Sequence, residues 1–181
     1  MSTVSKASNV SQIEAILAAN RTYATEHGTT DIPIRPARHL AILTCMDARI
    51  QLFPVLGLQL GDAHVIRNAG GRASDDAIRS LVVSTNLLGT REILVIQHTD
   101  CGQHRFSNED IRHHLLAYLG VDSGETDFLT FSDLTESVRG DVQKIRTSPL
   151  LPKDIIVSGM VFDVATGLLD PVDTPDADAD R

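Results

Sequence analysis

Two near-continuous apolar runs of strand length, Leu40–Thr44 and Ile93–Gln97, constrain this chain more than any other feature. A strand covered on one face alternates apolar and polar residues, whereas one apolar along its length is covered on both faces, as in a parallel sheet between helices. The intervening segments agree. Ala63–Arg67, after a turn at Gly61-Asp62, and Ile155–Phe162 read as further strands, and Asp163–Leu169 as a turn at Ala165-Thr166-Gly167 leading into a short return strand. Ser74 is placed to cap a helix carrying Ile78, Leu81, Val82, Leu87 and Leu88 at helical spacing, with Gly89 ending it. Gln51–Leu58, Asn108–Leu119 and Leu134–Ile145 also read as helical. Strands alternating with helices predict an α/β fold, a mostly parallel central β-sheet flanked by helices.

Ahead of this pattern, Ser11–Glu26 reads as an amphipathic helix with Ile13, Ile16, Leu17 and Tyr23 along one stripe, followed by a linker, His27–Pro36, containing Gly28, Pro33 and Pro36. After it, Asp170, Asp173, Asp176, Asp178 and Asp180 crowd the last residues. The expected organisation is an N-terminal helix and linker arm over 1–36, an α/β domain over 37–169, and an acidic, disordered tail over 170–181. At 181 residues the chain fits a single core, and with 4% aromatic residues and no Trp that core must be aliphatic. A net charge of -8 opposes binding to nucleic acid or to an anionic membrane. No apolar stretch approaches the roughly 18 to 20 residues of a membrane span, and no secretory signal is visible, so a cytoplasmic location is expected. There thiols stay reduced, which favours metal binding or reactivity over a disulfide.

Both cysteines of the chain stand in short polar clusters where an apolar run ends: Cys45-Met46-Asp47-Ala48-Arg49 and His98-Thr99-Asp100-Cys101-Gly102. In open parallel sheets ligands bind outside the carboxyl ends of strands, so neighbouring strands would bring Cys45, His98 and Cys101 to one point. Two thiolates and an imidazole suit zinc, and three protein ligands leave a fourth position for water or a carboxylate. A cysteine nucleophile with His98 as its base is a competing reading, but it leaves the second thiol without a task. Asp47 could accept a hydrogen bond from zinc-bound water or take the fourth position itself, with Arg49 holding the carboxylate through a bidentate pair. Asn68-Ala69-Gly70-Gly71 is either a plain turn or a source of backbone amides for an anionic product. His104 is a minor candidate proton carrier, and Arg67 and Arg79 read as structural.

The motifs Cys45-x-Asp47-x-Arg49, Gly61-Asp62 leading into Val65-Ile66-Arg67-Asn68-Ala69-Gly70, and His98-x-x-Cys101-Gly102 together resemble the ordered motif set of the β-class carbonic anhydrases, over roughly Leu40 to Gly102. The resemblance implies zinc held by Cys45, His98 and Cys101, one per chain, with Asp47 and Arg49 as the catalytic dyad. It also implies a substrate pocket involving Gln59, Asn68, Ala69 and Gly70, and self-association as a dimer or tetramer in which an N-terminal helix packs on the partner subunit. The implied reaction adds hydroxide generated at zinc to a small linear molecule: reversible hydration of CO2 to bicarbonate, with hydrolysis of carbonyl sulfide to CO2 and hydrogen sulfide as the alternative. A non-catalytic zinc protein is the remaining reading. Departures from the pattern, Gly102-Gln103 where a second glycine is common and Ser80 near the usual tyrosine, resemble a compact branch that includes carbonyl sulfide and carbon disulfide hydrolases.

Overall fold

A computed structural model describes residues 11–27 and 31–174. The chain divides into two compact units between Ile32 and Pro33. In the first, α1 (Ile13–His27) forms where the amphipathic stripe predicts it. Ile13, Ile16 and Leu17 of that stripe are all at least half exposed.

The second unit takes up the end of the expected linker. Pro36 is buried, and the amides of Ala37 and Arg38 donate to the carbonyls of Gly61 and Asp62, so this stretch is fixed to the sheet domain rather than spanning free space. From there the order is β1 (Leu40–Cys45), α2 (Leu52–Leu56), β2 (Ala63–Asn68), a 3-10 turn (Ala69–Gly71), α3 (Asp75–Asn86), β3 (Glu92–His98), α4 (Gly102–Arg105), α5 (Asn108–Leu119), α6 (Leu134–Arg146), β4 (Ile156–Phe162) and β5 (Leu169–Val172). The strands form one sheet in the order β2-β1-β3-β4-β5, with the first four parallel and β5 antiparallel to β4.

Alternation along each strand divides the core. Ala41, Leu43, Ile93 and Val95 face α3 and α6, packing on Ala77, Ile78 and Leu81 and on Val138, Val142 and Ile145. Ile42, Leu94 and Ile96 face the other way, towards Ile50, Leu52, Leu58 and Phe162. Every one of these side chains is buried, as the two apolar runs require. Gly159 is what lets α6 lie against β4, because a Cβ there would overlap Val138 Cγ1.

Besides shifts of one or two residues at element ends, three boundaries differ from the sequence reading. The helix capped by Ser74 ends at Asn86, before Leu87 and Leu88, since the Leu87 and Leu88 amides both return to the Val83 carbonyl and Gly89 takes a left-handed conformation. The segment Gln51–Leu58 is helical only over Leu52–Leu56, where Gly57 at φ +60 caps it. The sheet does not stop at residue 169: β5 pairs with β4 through Phe162↔Leu169 and Gly159↔Val172, so regular structure enters the segment expected to be tail. The rest of that expectation, 175–181, lies outside the described residues.

Candidate metal centre

β1 ends at Cys45 and β3 at His98, and the two strands are hydrogen-bonded parallel neighbours, Leu40 opposite Glu92 and Thr44 opposite Ile96. Their carboxyl ends therefore lie side by side. Cys101 follows three residues after His98, through a turn whose Asp100 has φ 57, a left-handed conformation uncommon outside glycine. The Thr99 amide donates to the Phe162 carbonyl at the end of β4, which fixes that turn to the sheet. As a result the ligand atoms of Cys45, His98 and Cys101 lie within 4.8 Å of one another, all three residues buried, with 3.9 Å between the two sulfurs.

The imidazole is oriented for a metal. Its Nδ1–H donates to the Thr99 carbonyl at 2.8 Å, so that in the neutral ring a metal requires, Nε2 carries the lone pair. Among the described residues the buried Nε2 has no hydrogen-bond partner, an arrangement that costs free energy unless a cation fills the space. The sulfurs share one proton between them. Cys45 is pushed well below the usual thiol range, chiefly because Cys101 donates to it, with burial opposing and His98 and the amides of Asp47 and Gly70 adding to the effect. Cys101 is correspondingly pushed up, by the Cys45 thiolate it faces and by burial. A thiolate, a thiol that a metal would deprotonate on binding and a correctly presented imidazole make a donor set that fits zinc.

Around this triad the loops are braced. Arg67 donates from Nε to the Cys45 carbonyl at 2.9 Å and from Nη2 to the Asp47 carbonyl at 2.8 Å, fixing the loop after β1; this is the structural role its sequence position suggests. Arg79 pairs with Asp76 on the solvent face of α3. Gly71, at φ +65, packs so closely on β1 that a Cβ would come within 2.8 Å of the Cys45 amide nitrogen. The 3-10 turn is held from behind by Arg72, whose guanidinium pairs with buried Asp141 of α6 at 2.7 Å, while Gln97 of β3 donates to the same carboxylate at 2.8 Å.

Asp47 and Arg49 form the fork that the two-residue spacing allows. Arg49 Nε donates to Asp47 Oδ1 at 3.0 Å and Nη2 to Oδ2 at 2.7 Å, and the Arg49 amide adds a third bond to Oδ1 at 2.9 Å. These bonds, led by the guanidinium, hold the Asp47 carboxyl far below the usual carboxylate range against its partial desolvation. Oδ2 stands 3.8 Å from His98 Nε2, beside the ligand triad.

A cavity of about 310 Å³ opens over the triad, lined by Cys45, Met46, Asp47, Ala69, Gly70, Cys101, Gly102, Gln103 and Phe106. Of the expected pocket residues, Ala69 and Gly70 line it. Gln59 and Asn68 do not: Gln59 is exposed on the loop before β2, where its amide donates to Asp62, and the Asn68 side chain is spent on the backbone of Arg72 and on Ser74. His104 lies just beyond, its ring tilted on Phe131 at 5.6 Å between centroids. Gln103 is a lining residue that spacing alone does not reveal as one. Its side chain rests against Gly70 and donates to the Phe128 carbonyl, while its own carbonyl accepts from the Phe131 amide, so it ties the cavity wall to the segment before α6.

Residues 40–169 match the sequence model of the carbonic anhydrase family. Beta-carbonic anhydrase 1 of Mycobacterium tuberculosis is 43% identical over 144 residues, covering 78% of this chain and 86% of that protein. A carbon disulfide hydrolase of Acidianus sp. is 39% identical over 152 residues, covering 71% of this chain and 74% of that one. Among solved structures, a carbonic anhydrase from Streptococcus mutans superposes with a TM-score of 0.88 at 49% identity, covering 91% of this chain and 99% of the other. With the parallel sheet and the Cys-His-Cys cluster at its strand ends, these matches place the chain in the β-carbonic anhydrase family.

Proposed function

We propose that this protein is a zinc enzyme that reversibly hydrates CO2 to bicarbonate, using Cys45, His98 and Cys101 as metal ligands and Asp47 with Arg49 as the catalytic dyad. The observation that carries the reading is the buried, unpartnered His98 Nε2 facing two sulfurs beneath a small cavity. Zinc supplies Lewis acidity that makes hydroxide available as a nucleophile near neutral pH.

The chain's own residues do the rest. Asp47 stays ionised through the whole working range, because protonating it means giving up the Arg49 fork. Its Oδ2, beside the triad, accepts a hydrogen bond from the attacking oxygen and so directs a lone pair towards the cavity. The largely apolar lining admits a small uncharged linear molecule and offers it few competing polar contacts. The backbone at Ala69 and Gly70 lies where the anionic product forms, and solvent at the mouth carries away the proton.

Carbonyl sulfide hydrolysis, giving CO2 and hydrogen sulfide, is the second reading, favoured by the similarity to carbon disulfide hydrolases. Purified zinc-loaded protein offered CO2, carbonyl sulfide and carbon disulfide separately, with acidification and sulfide release followed side by side, decides between them. Rapid acidification with CO2 alone is the expected result. Sulfide release faster than CO2 hydration establishes the second reading, and a zinc-loaded protein inert towards all three identifies a structural metal site instead. Self-association as a dimer or tetramer belongs to the same proposal, supported by the exposed apolar stripe of α1, as does a cytoplasmic location in which both thiols stay reduced.

A further inference from the structure

Arg49 is gripped from two sides. One edge of its guanidinium holds Asp47, while Nη1 donates to Asp100 Oδ2 at 2.7 Å and Nη2 to the Asp100 carbonyl at 3.0 Å. The other carboxylate oxygen of Asp100 pairs with Arg105 of α4. The four side chains thus form an alternating ladder, Asp47, Arg49, Asp100 and Arg105, of which Asp47 is the end that lines the cavity. Asp100 is a poor candidate for an incidental surface partner: it holds a left-handed backbone, and the turn that carries it is bonded to the end of β4.

We propose that Asp100, braced by Arg105, is a positioning residue that immobilises Arg49 and through it keeps the Asp47 carboxylate withdrawn from the three ligand atoms. This rests on the zinc reading above. What decides the position of the Asp47 carboxylate is which end of the Asp47–Arg49 pair is anchored. An arginine with nearly half its side chain exposed has several free rotors, and one tied to Asp47 alone would follow that carboxylate wherever it went. Tied also to Asp100 by a carboxylate oxygen and a carbonyl, the guanidinium stays put. Asp47 can then swing onto the metal only by leaving the fork and both of its charge-assisted bonds. Removing Asp100 frees Arg49 to travel, and a fourth protein ligand becomes accessible.

Cobalt(II) substituted for zinc reports this directly, because its visible absorption responds to the number and kind of ligands. The experiment compares parent, Asp100→Ala, Asp100→Asn, Asp47→Ala and the Asp47→Ala/Asp100→Ala double variant, each loaded with cobalt(II) at one pH. Asp100→Ala, which leaves only the backbone carbonyl, should shift the cobalt bands, Asp100→Asn should shift them less because it also keeps a side-chain acceptor, and the shift should vanish when Asp47 is also alanine. Turnover of the zinc forms should fall on the order of three- to tenfold with Asp100→Ala in the parent and no further in the Asp47→Ala background. An unshifted Asp100→Ala spectrum, an equal shift in both backgrounds, or failure of Asp100→Ala to retain metal overturns the proposal, the last by showing that Asp100 merely supports the Cys101 turn. If the shift and its dependence on Asp47 are found in a protein that hydrates no substrate, the positioning role stands and the proposed reaction falls. A parent that takes up no cobalt overturns both.

Discussion

Gly71→Ala is the substitution to which the geometry assigns the clearest cost. The residue sits at φ +65, and an added Cβ would lie 2.8 Å from the Cys45 nitrogen, 2.9 Å from the Thr44 carbonyl carbon and 3.0 Å from the Ile96 oxygen. All three are backbone atoms of the central strands, so no side chain can swing aside. Placing alanine in the left-handed region costs about 1–2 kcal/mol, and forcing extra volume into a packed site adds about 1–3 kcal/mol, a total of about 2–5 kcal/mol. Gly57→Ala separates the two contributions. Gly57 has nearly the same φ, +60, but nothing among the described residues lies within 4 Å of its added Cβ, so it should lose only the about 1–2 kcal/mol of backbone strain. Because the chain has no Trp, urea unfolding is best followed by far-ultraviolet circular dichroism, with zinc per chain measured on the same samples. The overlap at Gly71 falls on the residue that carries a ligand sulfur, so Gly71→Ala should also lose zinc while Gly57→Ala keeps it. Equal destabilisation by the two substitutions, or full zinc retention by Gly71→Ala, would refute the reasoning.

Two further outcomes follow from the buried polar groups. Asp141→Ala strands Arg72 in a partly buried site and removes the acceptor for Gln97, and should destabilise the protein by about 3 kcal/mol or more; denaturant unfolding measures this, and a loss under ~1 kcal/mol would show the network to be dispensable. Zinc uptake should release protons: Cys45 is already thiolate at neutral pH, whereas Cys101 is pushed up and must give its proton to solvent when the metal arrives. Since that proton is bound below the raised pKa, affinity should climb at least tenfold per pH unit between about pH 6.5 and 8.5, as read by chelator competition, and a flat profile would show that both sulfurs are already ionised.

What the residues disclosed in advance was whatever local pattern encodes. The buried strands were legible in their apolar runs, and the meeting of Cys45, His98 and Cys101 in their position where those runs end, because a parallel sheet puts strand ends on one edge. Helix α4 escaped notice since four residues carry no periodicity. Asp100 was missed for a different reason: its partnership with Arg49 depends on a left-handed turn that places residues 51 apart in sequence side by side, Arg105 joins only through Asp100, and nothing in the composition of His98-Thr99-Asp100-Cys101 announces it. Gln103 was visible as a departure from a family pattern, but its contact with Gly70 could come only from the folded chain. Gln59 was named by resemblance and stands exposed outside the cavity, while Asn68, named also from its glycine turn, has its side chain engaged by Arg72 and Ser74.

The sulfurs of Cys45 and Cys101 sit 56 residues apart along the chain yet only 3.9 Å apart in space. A divalent ion gripping both would act as a removable cross-link around that loop, restricting the unfolded ensemble in the manner of a disulfide by about 4 kcal/mol on a chain-entropy basis. Starvation for the metal would then threaten the persistence of the folded molecule as well as its turnover, making cellular abundance of the protein a readout of zinc supply.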